Sequence, residues 1–206
     1  MSDNNLNIQS DDNEIIENFR NGNQNAFNIL VLKYQKKIYW LVRKMVLDHD
    51  DADDITQEVF IKLYKSIDKF RGESQFYTYI YKIAVNLSLN HLNKNKRNYS
   101  RKINIDSEVY KIKSKDKSSD EHFDDKNRTK ILEDAISTLP DQQRAVFNLR
   151  FYDNLSYDEI GKILNKSTGG MKANYFHISF LLLFSQTHRL NPPGLLQCLY
   201  FPRFHH

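Results

Sequence analysis

The chain has 206 residues, 40% of them hydrophobic and 27% charged, with a formal net charge of +4, which allows one large or two small domains and gives no global argument for nucleic acid. Its single cysteine, Cys198, excludes an intramolecular disulfide and a thiolate zinc site. The first thirty residues are polar, and no apolar run approaches the roughly 18 residues a spanning helix needs, so cytoplasm without stable membrane insertion is the expected location. The stretch from Asp11 to Glu17 is acidic. From residue 27 apolar positions recur at helical spacing, with Phe27, Leu30, Val31, Tyr34, Ile38, Leu41 and Met45 marking one buried face. Carboxylates then cluster at Asp48, Asp50, Asp51, Asp53 and Asp54. They complement a helix dipole, so the cluster is read as helix initiation rather than metal binding. The next stripe runs through Ile55, Val59, Phe60, Leu63, Tyr64 and Ile67.

Phe70-Arg71-Gly72-Glu73-Ser74 breaks the pattern and reads as a short loop. A third helical stripe (Phe76, Tyr79, Ile80, Ile83, Ala84, Leu87) ends in the polar, basic run Asn90 to Arg97. Residues 98–123 are poor in apolar side chains and read as a flexible basic linker. From Lys94 to Lys117 there are nine Lys/Arg against three Asp/Glu, which is either a solvated face or a surface for phosphates. Periodicity returns at Ile131, Leu132, Ala135, Ile136 and Leu139, stops at Pro140 and resumes with Ala145, Val146 and Leu149. The fold expected is all-α, two small helical domains joined by that tether, with boundaries at 10–97, 98–123 and 124–178.

Leu155 to Lys172 carries the strongest local signal. Ser156 with Glu159 three residues on is a capping box. Ile160, Ile163 and Leu164 supply the buried side of a short helix. Gly161 allows neighbouring helices to approach closely, Asn165-Lys166 turns the chain, and Ser167 caps a second helix. Short helix, tight turn and second helix make a helix-turn-helix, whose second helix enters the major groove. Thr168, Lys172, Asn174 and His177 are its candidate DNA contacts.

Asp51-Ala52-Asp53-Asp54-Ile55-Thr56-Gln57-Glu58-Val59-Phe60, followed by Phe70-Arg71-Gly72-Glu73-Ser74-Gln75-Phe76-Tyr77-Thr78-Tyr79 and on to Asn86, resembles conserved region 2 of bacterial sigma factors of the extracytoplasmic-function group. Leu139-Pro140-Asp141-Gln142-Gln143-Arg144 through the helix-turn-helix resembles region 4 of the same group. The resemblance spans about residues 14–178, in the family's order and spacing. It implies a subunit that binds core RNA polymerase and promoter DNA to start transcription, with no catalytic, metal or cofactor site of its own. Asp54, Gln57, Glu58 and Lys62 would then meet the polymerase. Phe70, Arg71, Ser74, Phe76 and Tyr77 would capture bases of the minus-ten element, with Asn86, Asn90, Lys94 and Arg97 contacting bases or backbone further along. Opening DNA costs about a few kcal/mol for each extruded base, and aromatic stacking returns about 1–3 kcal/mol per base. Tyr79, where the family often carries tryptophan, is expected in the core, and the core is the simpler place for Phe76 as well. Anti-sigma factors are a further partner class the family implies, with no motif here that names one. The alternatives are an autonomous helix-turn-helix regulator and an interaction protein that occupies polymerase without firing promoters.

Residues 178–206 depart from the family pattern. They contain no Lys, Asp or Glu and one Asn, whereas the resemblance leads one to expect a recognition helix rich in Lys/Arg. The shift is read as translation in another frame. Its rival is a genuine apolar tail, at 179–206, that packs on the helix-turn-helix or binds a partner. Resequencing around codon 178 separates the two.

Overall fold

The computed structural model describes residues 6–105, 134–173, 175, 176 and 178. Described residues fold as helices, with no strand among them. Helix α1 (Asp12–Arg20) is capped by Asp11, whose side chain accepts from the Asn13 amide. Helix α2 (Gln24–Val46) buries Ala26, Leu30, Tyr34, Ile38, Leu41, Val42, Met45 and Val46, the stripe expected, with Phe27 and Val31 half-buried at its edge. Leu47 ends α2 in the left-handed region (φ 68°) and donates to the Arg43 carbonyl. Helix α3 (His49–Ser66) starts from Asp48, whose carboxylate accepts from the Asp51 amide at 3.0 Å, so the acidic cluster is a helix start, as expected. One 3-10 turn (Ile67–Lys69) leads into the loop before α4 (Phe76–Ile105).

Helix α4 continues eight residues beyond the expected start of the tether at residue 98. No Gly or Pro lies between residues 76 and 105, and Asn, Lys and Arg on a solvated helix cost little. The rest of the tether expected at 98–123, from residue 106, lies outside the described residues, as do residues 179–206 with their frame-shift reading.

The described part of the second unit starts with helical residues 134–137; Pro140 then precedes α5 (Asp141–Phe151). Pro suits this place, since a first-turn amide has no helical partner to lose. Helix α6 (Tyr157–Leu164) carries the capping box in full: Ser156 Oγ accepts from the Glu159 amide and Glu159 accepts from the Ser156 amide at 2.6 Å. Asn165 ends it in the left-handed region (φ 55°), and the chain is helical again over residues 168–173. Ser167 starts that segment as expected, its Oγ accepting from the Gly170 amide at 3.4 Å and its carbonyl from the Met171 amide.

Gly161 has a different reason from the one expected. A Cβ built there would meet the Lys166 carbonyl oxygen at 2.7 Å, so the glycine makes room for the turn of its own motif, not for another helix. The two units also pack together: α5 lies against α2, and α6 against α4. Among the described residues no helix is long and apolar enough to cross a membrane, and no His/Cys/Asp/Glu group could hold a metal.

Candidate functional site

The expected polymerase-facing residues share one exposed face. Asp54, Gln57, Glu58 and Lys62 are all exposed on α3, at spacings of three, four and eight from Asp54. Ala52, Ile55, Val59 and Leu63 occupy the opposite, buried side. Sequence reading missed Ile61, which lies amid the polar residues and is 55% exposed. Apolar side chains are the part of a protein surface that gains most from being covered by a partner.

The loop expected to open DNA is built on buried aromatic rings. Phe70 is 6% exposed, packing edge-on to Phe76 at 5.5 Å and tilted against Tyr79 at 5.3 Å. Phe76 is also buried, with Tyr34 edge-on at 5.4 Å. Neither ring presents a face to solvent in this conformation. Tyr79 is half-buried and its hydroxyl lies 2.9 Å from Ser66 Oγ, which ties the start of α4 to the end of α3. Arg71 is exposed, Ser74 and Tyr77 are half-exposed, and Gly72 takes φ 73°, a conformation that favours glycine. Arg20 was not singled out from sequence, yet its Nη2 donates to the carbonyls of Ile67 (3.0 Å), Asp68 (3.4 Å) and Phe70. One guanidinium thus gathers the chain where it enters the loop.

Along α4, Asn86, Asn90, Lys94 and Arg97 are exposed. They follow at spacings of four, four and three, so they form one polar stripe leading away from the loop. Thr168 and Lys172 are exposed in the segment after the turn, and Thr168 donates to Asp158 Oδ1 at 2.6 Å. Asn174 and His177 lie outside the described residues.

Contacts between the two units reach the same surface. The Tyr77 hydroxyl donates to Glu159 Oε1, and the Tyr81 hydroxyl donates to Asp153 Oδ1 at 3.2 Å. Arg144 Nη1 donates to the Met45 carbonyl at 2.7 Å and Asn148 Nδ2 to the Lys44 carbonyl at 3.2 Å, so α5 satisfies the last carbonyls of α2. Lys96 pairs with Asp141 at 2.6 Å, and Lys44 Nζ lies 3.4 Å from the centre of the Tyr152 ring. Burial would push the Glu159 carboxyl up. Hydrogen bonds from Tyr77 and from the Ser156 hydroxyl and amide outweigh it and hold the group below the usual range. Asp153 moves the other way: burial raises it, and the bond from Tyr81 with the charges of Lys44 and Lys37 only partly compensates.

Comparison with known proteins follows this division. Residues 30–98 match the family model Sigma-70 region 2, and residues 129–178 match Sigma-70, region 4. The chain is 36% identical over 173 residues to the ECF RNA polymerase sigma-E factor of Escherichia coli K12, covering 82% of this chain and 90% of that protein. It is 34% identical over the same length to the RNA polymerase sigma-H factor of Pseudomonas aeruginosa PAO1, again with 82% and 90% coverage. Among solved structures, CnrH in complex with the cytosolic domain of CnrY superimposes with TM-score 0.63 at 16% identity, over 86% of this chain and 98% of that one. Sigma factor RpoE in complex with the anti-sigma factor NepR from Bartonella quintana gives 0.60 at 17% identity, over 79% and 98%. At such identities the two structures speak for the fold alone.

Proposed function

The chain belongs to the extracytoplasmic-function group of sigma-70 RNA polymerase sigma factors, and on that premise we propose how its surfaces divide the work of initiation. Residues 10–97 form the unit that binds core polymerase and the minus-ten element, and residues 124–178 the unit that reads the minus-thirty-five element. Core polymerase docks on the α3 face of Asp54, Gln57, Glu58 and Lys62, with Ile61 at its centre. The observation that carries this reading is that face: four polar side chains and one exposed apolar residue in register on a helix whose other side is fully committed to the core.

Promoter opening falls to Arg71, Ser74 and Tyr77, with Phe70 and Phe76 holding the loop in shape from beneath. Asn86, Asn90, Lys94 and Arg97 guide the strand along α4. Thr168 and Lys172 face the second element in the major groove, joined in this proposal by Asn174 and His177. An anti-sigma factor completes the partner set that family membership implies. The role asks no covalent chemistry of this chain, and the cytoplasm is where its partners would be met.

The test is co-elution with bacterial core RNA polymerase, followed by transcription from a library of the host's promoters. Co-elution with specific initiation is the expected result. Glu58→Lys should weaken co-elution by about 2 kcal/mol or more, the scale for one member of an interfacial charge pair, without changing helicity. Failure to bind core together with tight binding of duplex DNA alone would overturn the assignment in favour of an autonomous regulator.

A further inference from the structure

Helix α2, like α4, carries cations and no carboxylate. Its 23 residues hold Lys33, Lys36, Lys37, Arg43 and Lys44 and no carboxylate, whereas the whole chain has 30 cations against 26 carboxylates. Two of these cations are occupied: Lys33 pairs with Asp12 at 2.8 Å, and Lys44 covers the Tyr152 ring. Lys37 lies 5.9 Å from the centre of the Tyr34 ring and shares the field of Asp153 with Lys44. Of the other two, Lys36 is exposed and Arg43 half-buried, and among the described residues neither forms an ion pair.

Between them in the helical stripe lies Trp40, four residues after Lys36 and three before Arg43. It is the only tryptophan in the chain and is 50% exposed. Its one described ring neighbour is Tyr39, edge-on at 5.3 Å, which supports the indole and leaves much of it uncovered. A charged helix face alone is commonly just a solvated face. A half-exposed indole in that face is not accounted for by solvation, because burying it would remove a large apolar area from water.

We propose that Lys36, Trp40 and Arg43 form a second nucleic-acid site, one that holds single-stranded DNA by stacking a base on Trp40 with phosphates against the two cations. Cations along a track with an aromatic platform between them are the means by which single strands are held without sequence readout. Helix α2 also carries Tyr34 on its buried side, where that ring packs against Phe76 at the start of α4, so the stripe and the loop assigned to DNA opening belong to one packed unit. The inference rests on the proposed function only for the source of the strand, and its test needs no polymerase.

Because Trp40 is the only tryptophan, its emission in the full chain reports on the site directly. Oligothymidine of about 20 nucleotides, the probe, should quench that emission saturably. Anisotropy of the same labelled oligonucleotide should show Trp40→Ala binding about 5- to 150-fold more weakly, the range for losing one stacked base. Replacing both Lys36 and Arg43 with Ala should flatten the dependence of log K on log salt by about 1.4, two phosphate contacts on a single strand. Lys36 and Trp40 are exposed and Arg43 is half-buried, and unchanged helicity by circular dichroism confirms the fold. Binding seen by anisotropy with unchanged tryptophan emission would place the strand elsewhere and overturn the proposal. So would equal quenching by a duplex of the same length, by polyglutamate, or an absence of binding. Loss of oligothymidine binding with intact co-elution on core polymerase would sink this site and leave the proposed function standing.

Discussion

Replacing Gly161 with alanine tests the turn of the helix-turn-helix directly. In an ordinary helix the change stabilises, by up to about 1 kcal/mol, because alanine loses less backbone freedom on folding. Here the new Cβ would meet the Lys166 carbonyl oxygen at 2.7 Å, with the Thr168 amide nitrogen at 3.8 Å. The opposing atom is main chain, so no rotamer change relieves it. The carbonyl belongs to the residue whose amide donates back to Gly161 at 2.9 Å, and displacing the turn loosens that bond too. Overpacking costs about 1–3 kcal/mol and the weakened hydrogen bond about 1 kcal/mol. Against the propensity gain, the net expectation is a loss of about 1–3 kcal/mol.

Native-state hydrogen exchange at the amides of α6 and Met171 measures this locally, without assuming that the two units unfold together. Gly169→Ala is the matched control. It lies in a helical stretch with nothing within 4 Å of the added carbon, and should stabilise by about 0.5–1 kcal/mol. If Gly161→Ala also slowed exchange, the close approach of the turn would not be what requires glycine, and the reasoning would fail.

Arg20→Met should free the loop entrance at Ile67–Phe70 by about 2 kcal/mol, the scale for a charged donor on carbonyl acceptors. It would show as faster exchange at Phe70 and slower promoter opening, with co-elution on core polymerase retained. Asp153 and Glu159 should give opposite pH profiles. The folded carboxyl of Asp153 is raised by burial, so its favourable contribution is full below the ordinary carboxylate range and is lost as pH rises through the raised value. Asp153→Asn should therefore stabilise the chain at neutral pH, by an amount that shrinks in acid. The folded carboxyl of Glu159 is lowered by its hydrogen bonds against the effect of burial, so its contribution is present above the ordinary range and is lost as pH falls through the lowered value. Glu159→Gln should destabilise at neutral pH, with the difference vanishing in acid; urea titration across pH 3–7 checks both.

Local rules made much of the fold readable in advance. Apolar spacing gave α2 and α3, Asp48 and Ser156 gave helix starts through their own side chains, and Pro140 marked the beginning of α5. The polymerase-facing residues of α3 came from the family resemblance alone, and the structure adds that they share one exposed face at helical spacing. Long-range groups were not. Arg20 reaches carbonyls 47 to 50 residues away, and Arg144 and Asn148 reach carbonyls 99 and 104 residues away. A side chain bonded to distant backbone leaves no periodic trace. Phe70 was given to a DNA-capturing surface by the family resemblance, which carries no information on how the loop packs its ring into the aromatic cluster with Phe76 and Tyr79. The extent of α4 past residue 98 was hidden by composition, since a charged, Asn-rich run serves equally as a tether or a solvated helix.

The hydrogen bond between Tyr77 and Glu159 has a consequence in populations. While it holds, the hydroxyl expected to meet DNA is engaged by the residue that caps the first helix of the reading motif. A ligand that takes Tyr77 binds only the fraction of molecules in which the two units have parted, and its apparent affinity falls by that fraction. Every 1.4 kcal/mol invested in the contacts of Tyr77, Tyr81, Arg144 and Asn148 would lower it about tenfold. A partner that separates the units would raise promoter affinity by the same factor without touching DNA.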